Sequence, residues 1–151
     1  MDSFSSNLVA VVHSPEAGYP PLSDAPFHPS ERYPECPFAE ISANPNPVYA
    51  MVRQTLADLD LDRAAYGSPH WNPIGALVPP GSKIVVKPNW VLHENEGPGG
   101  TDCLVTHASV LRAVLDYVRL AKPREVIVGD APLQGCDFDR LLGLGARRVA
   151  D

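Results

Sequence analysis

Lys87, Asn89, Thr106, His107, Asp130 and Cys136 are the side chains whose types and positions suit chemistry. Lys87 closes the apolar, β-branched run Ile84-Val85-Val86, and Asn89 follows two residues on, so a cation and an amide leave one strand end. With Thr106 and the free N–H groups of the helix after it, they are suited to bind a phosphate or carboxylate. Asp130 follows Gly129 at the end of another such run, where open parallel sheets present their ligand-binding groups. Its plain alternative is an Asx turn into Ala131-Pro132. His107 falls in the first turn of a helix, where the positive end of the dipole disfavours protonation and keeps the ring fit to be a ligand or general base. Cys136, between Gly135 and Asp137 near a helix start, is a candidate nucleophile or soft ligand. His107 and Asp130 are therefore the candidate catalytic groups, and His107, Asp130 and Cys136 the candidate metal ligands. Each has a structural alternative: Lys87 as a solvated strand terminus, Thr106 and Asp137 as helix caps, His107 as a packed helix-start residue, Cys136 as an inert buried thiol.

Other motifs fail on their own terms. His93-Glu94 begins an HExxH pattern without its second His, and Gly143-Leu144-Gly145 follows a helix rather than a strand. A Walker A sequence and a Gly-x-Ser-x-Gly elbow are absent.

The elements that must position these residues follow from apolar periodicity. Leu8 to Val12 is a continuous apolar run of the kind buried on both faces of a parallel sheet. Asn46 caps a helix with Pro47 at its first position, and Val48, Met51, Val52, Thr55, Leu56 and Leu59 share one face of it. Lys83 to Lys87 is a second strand, ended by Pro88. A glycine-containing loop, His93 to Asp102, leads to a helix capped by Thr106, with Leu111, Val114, Leu115 and Val118 as its buried stripe and Pro123 as its stop. Glu125 to Asp130 is the third strand, and Asp137 starts a short helix through Leu142. The order β–α–β–α–β–α predicts an α/β fold: a parallel sheet with flanking helices and right-handed crossovers. Three strands would leave sheet edges open, and residues 143–151 lead on towards another strand, so the chain reads as the N-terminal part of a larger domain.

Proline punctuates this pattern. Of 17 prolines, nine lie between Pro15 and Pro47, which removes sheet interior and helix from that stretch. Residues 13–46 are expected to form a loop or an arm laid on the surface, with Tyr19, Phe27, Tyr33 and Phe38 as its adhesive residues.

The whole chain of 151 residues is at most one ordinary domain, and 44% hydrophobic residues suffice for a core. A net charge of −6 supplies no global positive field for nucleic acid or anionic lipid. Three widely spaced cysteines without a CxxC pair support neither a disulfide framework nor a zinc ribbon, and fit reduced thiols in a cytoplasm. The first residues lack the basic region of a signal peptide, and no apolar run approaches the ~18 residues that span a bilayer.

Three stretches taken together carry a family resemblance. Gly81 to Val91 with its Lys87-Pro88-Asn89, then Thr106-His107, then Val126 to Pro132 with Gly129-Asp130-Ala131-Pro132, resemble the domain-of-unknown-function family 362 over about residues 79–142. Ala108 stands where that family usually has a proline after Thr-His. The resemblance implies an α/β domain. Family members are generally longer, and many carry ferredoxin-like cysteine clusters, so an iron–sulfur cluster would come only through another domain or chain. A link to polysaccharide biosynthesis is a further implication, and no general reaction comes with the family.

Three functions follow as expectations. The first is an enzyme domain that binds an anionic small molecule through Lys87, Asn89 and Thr106, with His107 and Asp130 in acid–base or metal roles. The second is a redox-linked module that docks an iron–sulfur partner. The third is a non-catalytic assembly part that uses the proline-aromatic arm.

Overall fold

The computed structural model describes residues 7–15 and 18–150. Residues 1–6, which bear on the reading of the chain start, lie outside the described residues, as does Asp151. Among the described residues the order is α1 (Pro47–Asp58), β1 (Lys83–Val86), α2 (Ala108–Leu120), β2 (Glu125–Val128), α3 (Phe138–Gly143) and α4 (Ala146–Ala150). Short 3₁₀ turns at Leu22–Asp24 and Arg63–Ala65 punctuate the loops.

The sheet corrects the expected architecture. It has two parallel strands, not three, with Lys83 opposite Glu125 and Val86 opposite Val128. Residues 8–12 form no strand, and Val9 and Val11 are 80% and 81% exposed. The last residue of this run, Val12, and the next two, His13 and Ser14, line a groove against α1. A β-branched run carries local preference only; a strand also needs a partner to complete its ladder, and that is decided by tertiary packing. The fold is thus not a βαβαβα sheet with flanking helices, but a helical and loop-rich body carrying one β–α–β unit. In the terminal stretch, residues 146–150 form the short helix α4.

Helix starts are set by local chemistry. Asn46 caps α1 as its Oδ1 accepts from the Tyr49 amide, with Pro47 at the first position. Asp137 caps α3 through the Arg140 amide. At α2 the cap is His107, not Thr106: the His107 ring accepts from the Ser109 amide, while Thr106 Oγ1 is engaged by Asn89. α2 ends at Leu120, where Lys122 takes a left-handed φ of 52° ahead of Pro123.

The proline-rich segment is irregular, as a loop is, and sends Phe27 and Tyr33 into the core while Tyr19 and Phe38 stay exposed. Phe27 is 1% exposed and packs with Trp90, Leu111, Leu141 and Val149. Tyr33, Cys36 and Ala39 join Tyr49, Trp71 and Tyr117 in a second cluster between α1 and α2. Proline loses little entropy on ordering, so a proline-rich chain can be fixed in place by a few aromatic anchors. Asn46 ties it down further, its Nδ2 donating to the carbonyls of Phe27 and His28 at 2.9 and 3.0 Å.

Buried charge holds the second cluster together. Glu35, 2% exposed, accepts from Arg53 Nε at 2.7 Å and from the Tyr117 hydroxyl at 3.0 Å. The Arg53 guanidinium lies over the rings of Tyr33, Tyr66 and Trp71 at 4.6, 4.7 and 5.2 Å. Alongside, Asp116 accepts from the Tyr49 hydroxyl and from Arg112 at 2.9 and 3.0 Å. Each buried carboxylate is thereby paired and hydrogen-bonded, which its burial requires. No helix of the described residues is long and apolar enough to cross a membrane.

Candidate functional site at the carboxyl edge of the sheet

The parallel register decides which residues meet. Val86 pairs with Val128, so the chain leaves both strands at the same edge, through Lys87 on one side and Gly129-Asp130 on the other. Lys87 Nζ lies 2.8 Å from Asp130 Oδ1. The same oxygen accepts from the Ala131 amide at 2.8 Å, and Oδ2 accepts from the Trp90 amide at 2.8 Å. Asp130 thus ties the two loops together; its bond to Ala131 reaches only the next residue and is not the Asx turn, since Pro132, two residues on, has no N–H. A further bond, Leu133 N–H to the Val91 carbonyl at 3.1 Å, extends the seam.

The environments of the two charges differ. The Asp130 side chain is 8% exposed and that of Lys87 is 68% exposed. The bond from Lys87, followed by those from the Trp90 and Ala131 amides, holds the Asp130 carboxyl down at about 2. A carboxylate stabilised so strongly in its charged form is a weak proton acceptor at neutral pH. Its chemical capacity is to anchor the Lys87 ammonium, which has three N–H groups and gives one to Asp130.

Asn89 and Thr106 are joined through the backbone. The Asn89 amide donates to Thr106 Oγ1 at 2.9 Å, and the Thr106 amide donates to the Asn89 carbonyl at 2.8 Å. Thr106 therefore positions the loop after β1 and has its hydroxyl acceptor occupied, while Asn89 is exposed beside Lys87 in sequence.

His107 and Cys136 lie in other surroundings. The His107 ring stacks on Tyr19 at 4.5 Å and meets Phe27 edge-on at 5.4 Å, with Nδ1 2.8 Å from Ser109 Oγ. Burial lowers its pKa from the ordinary 6.5, with packing rather than the helix dipole as the cause. Its contacts among the described residues run to the proline-rich segment and Ser109, not to Lys87 or Asp130. Cys136 is a free, half-buried thiol against the first core cluster. Among the described residues no group of three or more His, Cys, Asp or Glu comes together to hold a metal ion, so His107, Asp130 and Cys136 do not form the expected ligand set. The three cysteines are all free, and burial pushes the Cys36 thiol up to about 12.

A cluster that local patterns do not announce sits on the same two loops and the first turn of α3. His93 Nδ1 accepts from the Asp137 amide at 2.9 Å, Arg140 Nη1 lies 2.9 Å from His93 Nε2, and Arg140 Nη2 donates to Glu94 at 2.9 Å. His93 and Asp137 are 44 residues apart, and only the strand pairing brings them together. A groove of about 650 Å³, walled by Val12 to Pro15, Gly18 and Tyr19 against Val48, Met51, Val52 and Thr55 of α1, shares no lining residue with this edge.

No protein-family model, curated protein or solved structure matches the chain.

Proposed function

We infer that the chain binds an anionic small molecule at the carboxyl edge of its two-stranded sheet, as an enzyme domain similar to the domain-of-unknown-function family 362. The observation that carries this reading is the Lys87–Asp130 pair: an exposed ammonium held 2.8 Å from a carboxylate whose side chain is 8% exposed. A lysine that merely solvated a strand end would gain little from a desolvated, triply hydrogen-bonded counter-charge. Here the carboxylate orients the ammonium and leaves two of its N–H groups for a ligand, with the Asn89 side-chain amide two residues away in sequence. Preorganised donors of this kind stabilise negative charge on a bound group or one that develops in a reaction.

The experiment is calorimetric titration of the full chain with phosphate, pyrophosphate and citrate, compared with Lys87→Ala. Loss of a charge-assisted hydrogen bond predicts about tenfold or greater weakening, with a modest fall in melting temperature because Asp130 keeps its bonds to the Trp90 and Ala131 amides. Equal affinity in the two proteins would remove Lys87 from the site. A variant that melts far below the native chain would assign the residue to structure.

A further inference from the structure

The imidazole of His93 is only 7% exposed, and its hydrogen bonds do not close. Nδ1 accepts from the Asp137 amide at 2.9 Å, which requires that nitrogen to carry no proton. A neutral ring then carries its hydrogen on Nε2. Yet Nε2 lies 2.9 Å from Arg140 Nη1, and a guanidinium only donates. The other tautomer moves the conflict to the Asp137 amide, and the cationic ring has it as well. Two N–H donors therefore face each other. The acceptor they share is Glu94 Oε2, at 2.9 Å from Arg140 Nη2 and 3.5 Å from His93 Nε2, too long for a good bond to the ring. Glu94 and Arg140 are exposed, with side chains 53% and 60% accessible, so both are free to swing while His93 is held.

We propose that His93 and Arg140 form an oxyanion position in which Glu94 is a displaceable stand-in. An oxygen of a phosphate or carboxylate displaces Glu94, sits closer to the ring than Glu94 Oε2 does, and accepts from His93 Nε2–H and from Arg140, whose exposed side chain shifts off Nε2, which removes the donor–donor conflict. The Asp137 amide sets the ring tautomer, and the backbone seam between the two loops sets its orientation. The proposal deepens the reading of the carboxyl edge as an anion site and rests on it for the class of ligand, but its residues are different ones.

The test follows the His93 ring nitrogens by NMR in the ¹⁵N-labelled full chain during titration with inorganic phosphate, and separately with acetate. Phosphate binding that shifts Nε2 identifies a phosphate ester as the ligand class, and an acetate response identifies a carboxylate. Glu94→Gln, which removes the competing charge, is expected to bind roughly threefold tighter, the size of an exposed ion-pair effect. Arg140→Met is expected to bind about tenfold or more weakly. The opposite directions separate this proposal from a structural cluster, in which both variants would act alike or not at all. Weaker binding in Glu94→Gln, or an unmoved Nε2 at saturation, overturns it. Lys87→Met separates the two readings: if it alone abolishes binding, the His93 position falls and the Lys87 site stands. If only Glu94→Gln and Arg140→Met respond, Lys87 falls instead. No binding of either anion overturns both.

Discussion

Lys87 and Asp130 stand 43 positions apart in sequence and 2.8 Å apart in space, because parallel pairing of Val86 with Val128 delivers both chains to one edge. The pair also fastens the loop after β1 to the loop after β2, since the same carboxylate takes the Trp90 and Ala131 amides. A ligand site and a structural seam are thus the same group of atoms.

Acid should open that seam in a definite range. The folded-state pKa of Asp130 is lowered from 3.8 to about 2, so its contribution is complete above the unfolded value and is lost as pH falls from about 4 through 2. Asp130→Asn should flatten the stability curve in that interval and weaken anion binding at neutral pH, because the Lys87 ammonium loses its anchor. Denaturant midpoints measured between pH 2 and 5 check this; an unchanged acid limb would show that the pair contributes nothing to folding.

Histidine titration gives a second, separate pH effect. Burial lowers the pKa of His107, and burial followed by the nearby Arg112 charge lowers that of His28. Below the ordinary value of 6.5 the unfolded chain binds more protons than the folded one, so stability should fall as pH drops through that value. Tyr19→Ala uncovers the His107 ring, whose stacking partner lies 4.5 Å away, and should move its NMR titration midpoint upward. A midpoint that stays put would mean that Tyr19 does not shield the ring.

Glu35 carries the sharpest stability prediction. Removing its carboxylate by Glu35→Ala leaves Arg53, whose side chain is 13% exposed, and the Tyr117 hydroxyl without their acceptor. The expected cost is about 3–5 kcal/mol, as for other broken buried pairs. Replacing both charges, Glu35→Met with Arg53→Met, should cost less than the single change, because no charge is then stranded. Urea unfolding of the three proteins decides it, and a near-neutral Glu35→Ala would contradict the packing of the proline-rich segment described above.

How much of this was legible in the sequence depends on the range over which each signal acts. Asn46-Pro47 and Asp137 were readable as helix starts because a cap bonds an amide three residues away. The strands at Lys83 and Glu125 were readable because proline and glycine bound β-branched runs. Residues 8–12 have the same composition without being a strand, since composition does not say whether a partner strand is present. Thr106 and His107 are both able to cap, and the choice fell to His107 because Asn89, 17 positions earlier, takes the threonine hydroxyl. The burial of Glu35 and Tyr33 was hidden for a similar reason: Glu35 meets Tyr117 across 82 residues, and no local pattern encodes that contact. Lys87 and Asp130 were each identifiable alone from their strand ends. Their partnership, and the convergence of His93 with Arg140 across 47 residues, required the register.

The most direct test of the central claim is an amide chemical-shift map of the full chain titrated with inorganic phosphate. The account predicts saturable shifts concentrated in residues 87–95 and 129–140, the two loops joined by Asp130, with loss of those shifts in Lys87→Ala. Shifts confined to the apolar groove around Val48, Met51 and Val52, or no saturable shifts anywhere, would contradict it.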